Sequence, residues 1–317
     1  MSTNKLDIVL LMPGQGSQKV GMGRDLADAF PEARDVFAAV DEAVGAPLTR
    51  LMFEGPADEL TRTSNAQPAL LAHSAAVWAI AKNSLLPRVR AAAGHSLGEF
   101  SAYYAVGAFN LADAARVVRK RGLLMFEQGV ARPGAMSAIL GVLTKSIGDI
   151  CAQATTESAL VVPANYNSAE QVVISGEVAG VERAMQLAKD AGAKRVLPLP
   201  VSGAFHSPLM APAAEGLSAA LNAVDMHDNE IPVFANVDAT PVCDSTNARR
   251  LLVQQLTAPV QWVLVMQRLA EACPGALFVE MGSGAVLSGL AKRIVPGANT
   301  MTCGTVAEVE ALLKQVA

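Results

Sequence analysis

Ser96 is the residue whose surroundings most clearly predict chemistry. Residues 94–98 read GHSLG, which fits G-x-S-x-G, and they lie between an apolar run at 89–93 and a helical pattern at 97–106. In this context the pattern predicts a sharp strand-to-helix turn that projects the serine hydroxyl above the edge of a sheet. Backbone N–H groups at the helix N-terminus can stabilise an oxyanion there. We therefore predict that Ser96 is a nucleophile.

A serine hydroxyl needs a base within hydrogen-bond reach before it attacks efficiently. The chain has four histidines. His95 adjoins Ser96, but neighbours on a tight turn point apart, so it is expected to support the turn. His73 lies within a helical pattern and His227 in the polar stretch DMHDNE. His206, in VSGAFHSPLM, comes late in the chain, as the histidine does in G-x-S-x-G enzymes, and is the predicted base.

No acidic residue occupies a recognisable position from which to orient His206. A backbone or side-chain carbonyl can hold the imidazole tautomer instead, which gives a dyad rather than a triad. This absence argues against a simple serine esterase. An esterase with the same turn nevertheless stays open at this point.

The elements that must position these residues alternate between strand and helix. This alternation predicts an α/β protein with a mainly parallel sheet. The first strand, Ile8 to Met12, ends in the Gly-rich loop GQGSQKVGMG. Further strands are predicted at 89–93, 233–237 and 276–280, and helices at 32–44, 68–81 and 97–106.

A second region has a different pattern. Its six predicted elements follow the order βαββαβ, which is typical of a ferredoxin-like module. They are strands at 135–142, 159–164, 171–175 and 195–201, and helices at 146–154 and 178–191. We predict a small domain, residues 133–202, inserted into a large domain formed by residues 1–132 and 203–317.

Composition excludes several classes of protein. The formal net charge is −4 and no basic run of five residues occurs, which argues against nucleic-acid binding. No uninterrupted apolar stretch reaches the ~18 residues of a membrane span, and the N-terminus does not fit a signal peptide. The four cysteines lack metal-site spacing and suggest a reducing cytoplasm. Neither a metal nor a bound cofactor is expected, and nothing demands more than a monomer.

Eight sequence blocks, in order, resemble one family, the malonyl-CoA:acyl-carrier-protein transacylases, and also the acyltransferase domains of polyketide synthases. The resemblance covers the chain from Leu11 to about Ile294. It implies an α/β-hydrolase-like core with a ferredoxin-like insert. The blocks are PGQGSQKVGMG, QPALLAHSA, AGHSLGEFSA, RGLLM, ANYNSAEQVVISG, GAFHSPLM, LTAPVQW and EMGSGAVLSGL.

The resemblance implies roles for individual residues. Ser96 matches the nucleophile of the family and His206 its base. Gln15, in PGQGS, matches a glutamine near the oxyanion hole, and the N–H of Leu97 matches an oxyanion donor.

Four further residues match positions on the substrate side. Arg121, in KRGLLM, matches the arginine that holds the free carboxylate of malonyl, and Gln255 matches the glutamine whose carbonyl orients the histidine. Asn165 matches a position on the face of the small domain that is turned toward the site. Phe205 resembles the malonyl-selective form of its motif, because an aromatic ring leaves little room for a 2-methyl branch.

Arg121 also makes chemical sense in this role. A guanidinium meets a carboxylate with two parallel hydrogen bonds, and a buried cation left unpaired by a neutral acyl group is unfavourable. Spacing alone does not prefer Arg121 over Arg116, Arg119 or Lys120, which stand in the same run of cations.

The implied reaction is a ping-pong transfer of malonyl from malonyl-CoA to the phosphopantetheine thiol of an acyl-carrier protein, for fatty acid or polyketide synthesis. Such carriers are typically acidic, so we expect a docking surface with exposed cations. The candidate docking cations are Lys189, Lys194, Arg195, Lys292 and Arg293.

Two rival functions stay open beside the esterase. One is an acyltransferase of the same fold with another task, such as a malonate decarboxylase subunit or a polyketide loader. The second is an inactive binding module, which the intact Ser96, His206, Arg121 and Gln15 argue against.

Overall fold

Two β-sheets organise the computed structural model, which describes residues 6–201 and 203–317. In this part of the chain the larger sheet has six strands and the smaller has four. The strands are β1 (Ile8–Met12), β2 (Val89–Gly94), β3 (Gly134–Leu140), β4 (Val161–Ser168), β5 (Gln171–Glu177), β6 (Arg195–Pro198), β7 (Val233–Phe234), β8 (Pro241–Val242), β9 (Leu277–Met281) and β10 (Asn299–Cys303).

The helices surround these sheets. They are α1 (Arg24–Ala29), α2 (Pro31–Val44), α3 (Leu48–Glu54), α4 (Ala57–Thr61), α5 (Thr63–Leu85), α6 (Gly98–Ala105), α7 (Leu111–Ala131), α8 (Ile147–Ala154), α9 (Val178–Asp190), α10 (Ala211–Asn222), α11 (Ser245–Gln254), α12 (Trp262–Ala272), α13 (Val286–Ile294) and α14 (Val306–Val316). Short 3₁₀ turns cover Leu86–Arg88 and Pro208–Met210.

The larger sheet has the strand order β10-β9-β1-β2-β7-β8 and is parallel except for β8. The central strand β1 is buried on both faces. Leu10 points into a core that includes α5, whereas Leu11 points into a second core that includes α12. Such burial explains why β1 reads as a continuous apolar run. The predicted α/β class with a mainly parallel sheet is confirmed.

The smaller sheet is antiparallel, with the order β4-β5-β3-β6. Along the chain its elements follow the predicted order βαββαβ. Helices α8 and α9 share an apolar core with one face of this sheet, in which Ile150 and Ile174 are fully buried. The other face is turned toward the larger sheet and contributes side chains to the cavity described below.

Helix α5 begins five residues earlier than predicted. The prediction placed Pro68 in the first turn, where proline is best tolerated. In the structure Pro68 lies inside the helix, and the carbonyl of Ser64, which loses its helical donor, accepts a hydrogen bond from Arg119 Nη1 instead. Helix α5 is the one described helix long and apolar enough to cross a membrane, but most of its surface is buried inside this fold.

Four strands depart from the prediction. Strand β4 runs over Val161–Ser168 rather than 159–164. The edge strand β10 was not predicted, because its alternating polar residues, NTMTC, give a weak apolar signal. Strand β7 is only two residues long rather than five. Strand β6 ends at Pro198 rather than at residue 201, since the N–H of Val201 donates to the carbonyl of Leu199 (2.8 Å) and not to β3.

Backbone hydrogen bonds tie β4 of the smaller sheet to the segment between α11 and α12. Val260 donates to the carbonyl of Ala164 (2.8 Å) and accepts from the N–H of Tyr166 (2.9 Å). We call these two bonds the Val260 bridge. The division into residues 1–132 with 203–317 and residues 133–202 stays a prediction. Residues 1–5 of the first range and Ser202 at the end of the insert lie outside the described residues.

Candidate active site

Ser96 follows β2 in a tight turn that ends at α6. Its φ of 53° lies in the left-handed region, which is unfavourable for a residue with a side chain. Glycine is required on both sides. A Cβ at Gly94 would lie 1.9 Å from the carbonyl carbon of Gly98, and one at Gly98 would lie 2.1 Å from the carbonyl oxygen of Met12. The predicted strained turn is therefore present, with the serine at the carboxyl edge of the parallel sheet.

Ser96 and His206 lie within hydrogen-bond distance, with 2.8 Å between Oγ and Nε2. The imidazole Nδ1 lies 2.8 Å from the backbone carbonyl oxygen of Gln255. A carbonyl only accepts, so Nδ1 carries the proton and Nε2 is left to accept from the serine hydroxyl. Burial, followed by the nearby Arg121 cation, lowers the pKa of His206 to about 3, which keeps the ring neutral.

Arg121 projects from α7 to the same point and is 1 % exposed. Its Nη1 donates to Gln67 Oε1 (2.6 Å), and its Nη2 donates to Gln255 Oε1 (2.8 Å) and to Ser96 Oγ (3.1 Å). The Phe100 ring lies 5.3 Å below the guanidinium carbon. Burial lowers the pKa of Arg121 to about 10, so it stays a cation near neutral pH.

The competing cations of the same run lie elsewhere. Arg116 and Lys120 are exposed, and Arg116 pairs with Asp113. Arg119 donates to Ser64 and Asn65 on α5. Of this run, Arg121 is thus the cation that lies beside Ser96.

A buried polar layer lies behind the serine. Asn236 accepts from the Ser96 N–H (2.7 Å) and donates to the Gly94 carbonyl (2.7 Å), so it holds both sides of the turn. Glu99 is 0 % exposed, and its Oε2 accepts from Gln255 Nε2 (2.7 Å) and from the Asn236 N–H (3.1 Å). Burial raises the pKa of Glu99 to about 7, although these two donors and the Arg121 cation lower it.

The oxyanion donors expected from the sequence lie at the same edge. Because Asn236 occupies the Ser96 N–H, that amide is not free for an oxyanion. Leu97 precedes the first residue of α6, where backbone N–H groups have no acceptor within the helix. Gln15 follows β1 and lines the cavity, and its Oε1 accepts from Thr63 Oγ1 (2.6 Å). This bond orients the Gln15 amide so that its N–H₂ group is left for another partner.

The smaller sheet supplies two asparagines from β4. Asn165 is 6 % exposed and lines the cavity, beside the Val260 bridge. Asn167 Oδ1 lies 2.8 Å from His95 Nε2, and burial lowers the pKa of His95. The His95 side chain therefore bonds to the smaller sheet and not to Ser96, as the turn geometry predicts.

Phe205 is 7 % exposed and lines the cavity next to His206. A Cβ at Gly203 would lie 2.4 Å from the Phe205 ring, so glycine at this position makes room for the aromatic side chain. Gln255, in contrast, lies behind the site and not among the cavity-lining residues. It reaches the reacting groups through Arg121 and His206.

The cavity between the two sheets has a volume of about 260 Å³. The smaller sheet forms one wall, and loops and helices next to the carboxyl edge of the larger sheet form the rest. Within residues 6–201 and 203–317, no group of three or more His, Cys, Asp and Glu side chains is placed to hold a metal ion. The lining includes Gln15, Gln67, Ser96, Arg121, Met136, Asn165, Gln171, Val201, Phe205, His206, Val286 and Leu290.

Sequence reasoning missed four buried polar residues at or behind the cavity. Gln67 and Glu99 lie inside the family blocks. Glu99 is the one charged residue of α6, which was a signal, whereas Gln67 follows other polar residues of α5 and carries none. Asn167 lies in the block ANYNS two residues after Asn165. Asn236 follows the short strand β7 and carries no local signal, since its contacts are with residues about 140 positions earlier.

A serine on a strained strand-to-helix turn, bonded to a late histidine above a parallel sheet, is the arrangement of α/β-hydrolase-like serine enzymes. The comparison with family models then defines the group. Residues 9–309 match the acyl transferase domain model, and the chain belongs to this family. The resemblance inferred from the sequence blocks is confirmed.

Several known proteins are similar to this chain over nearly its whole length. The chain is 46 % identical to the malonyl CoA-acyl carrier protein transacylase of Bacillus subtilis, over 90 % of both chains, and 42 % identical to that of Haemophilus influenzae, over 96 % of this chain and 97 % of the other. The crystal structure of the acyl-carrier-protein S-malonyltransferase from Bartonella henselae is 43 % identical and has a TM-score of 0.93, with 98 % and 99 % covered. A malonyl-transacylase solved in complex with its type II PKS acyl-carrier protein is also similar. It is 39 % identical and has a TM-score of 0.92, with 98 % of this chain and 99 % of the other covered.

Proposed function

We propose that this protein transfers a malonyl group from malonyl-CoA to the phosphopantetheine thiol of an acyl-carrier protein, through an ester on Ser96, for fatty acid or polyketide synthesis. The proposal rests on one observation: Ser96, His206 and Arg121 line the same cavity. The Ser96 hydroxyl lies 2.8 Å from the His206 imidazole and 3.1 Å from the Arg121 guanidinium. The names of the similar proteins support the substrate and the acceptor.

The first half-reaction forms the ester. His206 Nε2 takes the hydroxyl proton while Ser96 Oγ attacks the thioester carbonyl of malonyl-CoA. The tetrahedral oxyanion is stabilised by the Leu97 N–H and the Gln15 amide. The C–S bond then breaks, and the coenzyme A thiolate leaves with the proton from His206. Thioester exchange needs no metal and no bound cofactor.

The second half-reaction reverses these steps with a different thiol. The phosphopantetheine thiol gives its proton to His206 and attacks the malonyl-serine ester, and Ser96 recovers the proton as it leaves. The products are the malonyl thioester of the carrier protein and the free Ser96 hydroxyl. The neutral His206 ring, held by the Gln255 carbonyl, is suited to both directions because it has one free lone pair at Nε2.

Arg121 selects the acyl group in this proposal. Malonyl ends in a carboxylate, which a buried guanidinium binds with charge-assisted hydrogen bonds. Arg121 Nε is buried and has no hydrogen-bond partner among the described residues, so the cation retains donor capacity for a ligand. The Phe205 ring restricts the space beside the acyl group, which favours an unbranched malonyl over a 2-methyl form.

The cavity mouth, where Gln171 and the 53 % exposed Val286 meet solvent, is the proposed docking point for the acidic carrier. Leu140 pairs with Gln171 on one side and with Arg195 on the other, so these three side chains leave the small sheet on the same face. Arg293 Nη1 lies 3.5 Å from Gln171 Oε1. Arg195 and Arg293 thus flank the mouth. Lys194 and Lys292 are their exposed neighbours along the chain, whereas Lys189 lies on α9, behind the smaller sheet.

The proposal includes a cytoplasmic monomer. All four cysteines are free, which fits a reducing compartment. Every group required by the two half-reactions comes from this single chain, so a second copy is not needed to complete the site.

A serine esterase is disfavoured by two contacts. His206 Nδ1 faces a carbonyl rather than the carboxylate of a triad, and a cation lies beside the nucleophile where an esterase would bind a neutral acyl group.

Mass spectrometry of the intact protein tests the proposal. Brief exposure to malonyl-, methylmalonyl- and acetyl-CoA should add one malonyl group to Ser96 rapidly, and the other two groups slowly. Addition of a holo carrier protein should then discharge the ester. The proposal fails if malonyl-CoA leaves the mass of the protein unchanged, or if acetyl is taken up as readily as malonyl.

A further inference from the structure

Glu99 is a buried acid that the two half-reactions do not use. It lies in the first turn of α6, three residues after the nucleophile, and is not among the cavity-lining residues. A fully buried carboxyl group is unfavourable unless donors or a cation compensate it. Its Oε2 accepts two hydrogen bonds, from Gln255 Nε2 and the Asn236 N–H, and its Oε1 has no partner in the described chain.

The side chain of Gln255 links this acid to the arginine. Its Nε2 donates to Glu99 Oε2 (2.7 Å) and to the Ser96 carbonyl (2.9 Å), while its Oε1 accepts from Arg121 Nη2 (2.8 Å). Arg121 can only donate, so it requires the oxygen end of the amide. Glu99 requires the nitrogen end. The two charged residues together therefore allow one orientation of the amide.

The charges of the two residues are also matched. The hydrogen-bond partners of Arg121 are neutral oxygens, from Gln67, Gln255 and Ser96. Among the described residues it has no salt bridge. Burial lowers the pKa of Arg121 and raises that of Glu99, and the charge of each group opposes the shift of the other. Glu99 is thus the buried acid whose charge acts on this cation.

We propose that Glu99 is a positioning residue that orients Arg121 through Gln255 and serves as its internal counter-charge, and so sets how strongly the site prefers a negatively charged acyl group. The inference rests on the proposed malonyl transfer. With Glu99 ionised, part of the Arg121 charge is compensated before substrate binds, so the site tolerates some neutral acyl group. Without that charge, the malonyl carboxylate becomes the sole counter-ion and a neutral group leaves the cation unpaired.

Two substitutions separate charge from position. Glu99→Gln keeps an oxygen that can accept from Gln255 and Asn236 but removes the charge. The ratio of kcat/KM for malonyl-CoA to that for acetyl-CoA should rise by about tenfold. Glu99→Ala removes both the charge and the acceptor, which leaves the Gln255 amide held only by the Ser96 carbonyl and Arg121, so the same ratio should be lower than in Glu99→Gln.

The measurement is the rate of acyl-Ser96 formation with each thioester near pH 8, above the pKa of about 7 to which burial raises Glu99. Glu280→Gln is the matched control. Glu280 is also 0 % exposed and accepts two backbone N–H groups, from Leu287 and Ser288, but it has no contact with Arg121. Its variant should show the ratio of the unaltered protein even if its melting temperature falls.

The outcomes are distinct. If the unaltered protein forms no malonyl ester, the proposed function fails. If it does, and folded Glu99→Gln keeps the original ratio, the inference about Glu99 alone is overturned. Should Glu99→Gln not fold, Gln255→Met tests the same path, because it removes the link to Arg121 and leaves the backbone carbonyl that holds His206. An unchanged ratio in that variant would also overturn the inference.

Discussion

The guanidinium of Arg121 donates a hydrogen bond to the hydroxyl of Ser96, with 3.1 Å between Nη2 and Oγ. A hydroxyl has one proton, and Arg121 can only donate, so that proton must point elsewhere. The other neighbour of Oγ is His206 Nε2, at 2.8 Å. The cation thereby orients the serine proton toward the base before any substrate is bound.

The nucleophile and the base can be tested directly. Ser96→Ala should form no malonyl ester, because the attacking oxygen is gone. His206→Ala should slow ester formation by about 10²–10⁴-fold, the usual contribution of a general base. Rapid-quench mass spectrometry measures both rates. The exposed His227→Ala serves as control and should retain the original rate. An ester that still forms in Ser96→Ala would show that another residue is the nucleophile.

Arg121 should govern the preference for a carboxylate. Arg121→Ala should lower kcat/KM for malonyl-CoA by about 10²-fold or more, since truncating one partner of a buried charge pair is typically worth several kcal/mol. Acetyl-CoA should become the better substrate relative to malonyl-CoA, because no cation is left unpaired. Arg116→Ala, which removes an exposed cation of the same helix, should leave both values unchanged. Equal losses with the two substrates would contradict the assigned role.

Thr63 should act on the reaction through Gln15. Thr63→Val keeps the size of the side chain but removes the hydroxyl that donates to Gln15 Oε1. The Gln15 amide can then rotate and present its oxygen to the oxyanion. We expect kcat to fall by about tenfold with little change in KM, because the contact matters in the transition state. A steady-state comparison of Thr63→Val with Thr63→Ser checks this, and Thr63→Ser should retain activity. A change confined to KM would argue against an oxyanion role for Gln15.

The proposed docking surface predicts a selective loss of carrier binding. Charge reversal at Lys194 and Arg195 should raise the KM for the acyl-carrier protein severalfold, and more at low salt, because an acidic carrier is attracted through solvent. The KM for malonyl-CoA should stay within twofold. Reversal of the exposed Lys82 and Lys314, in the last turns of α5 and α14 rather than beside β6 or on α13, provides the control. An unchanged carrier KM in the first variant would eliminate this surface.

His73 should make the fold sensitive to acid. It is 1 % exposed, and burial lowers its pKa from 6.5 to about 4. Between these values the unfolded chain binds a proton that the folded protein does not, so stability is lost as the pH falls from 6.5 to about 4. Replacement by leucine should reduce the loss of unfolding free energy between pH ~7.5 and ~5 by on the order of 2 kcal/mol.

Urea denaturation of His73→Leu at the two pH values measures this difference. The exposed His227→Asn should leave the pH dependence unaltered and is the control. If His73→Leu lost as much stability on acidification as the unaltered protein, the buried histidine would not be the cause.

The parts of the site that could be predicted from the sequence are those written into short segments. The turn around Ser96 needs glycines at fixed spacing, and His206 follows from its late position among only four histidines. The parallel core follows from apolar runs such as β1. These features depend on local residue types, which a single sequence displays.

Contacts across the chain could not be predicted in this way. Arg121 differs from Arg119 only in which side of α7 it occupies relative to Ser96, and the spacing of cations does not encode that. Glu99 and Gln255 are separated by 156 positions, and their bond exists only once α6 and the end of α11 are brought together. Strand β10 was missed for a related reason, since an edge strand is stabilised by its neighbour β9 rather than by its own apolar residues.

The Val260 bridge has a consequence for protein engineering. It ties Ala164 and Tyr166, on either side of Asn165, to a segment that lies nearly one hundred positions later and outside the predicted insert, residues 133–202. A chimaera that exchanges only the insert with that of a relative would keep its own Val260 segment and so inherit a mismatched partner for the foreign β4. Exchanging the stretch around Val260 along with the insert should preserve the distance between Asn165 and Ser96, and with it the ability of a hybrid to hold a thioester in place.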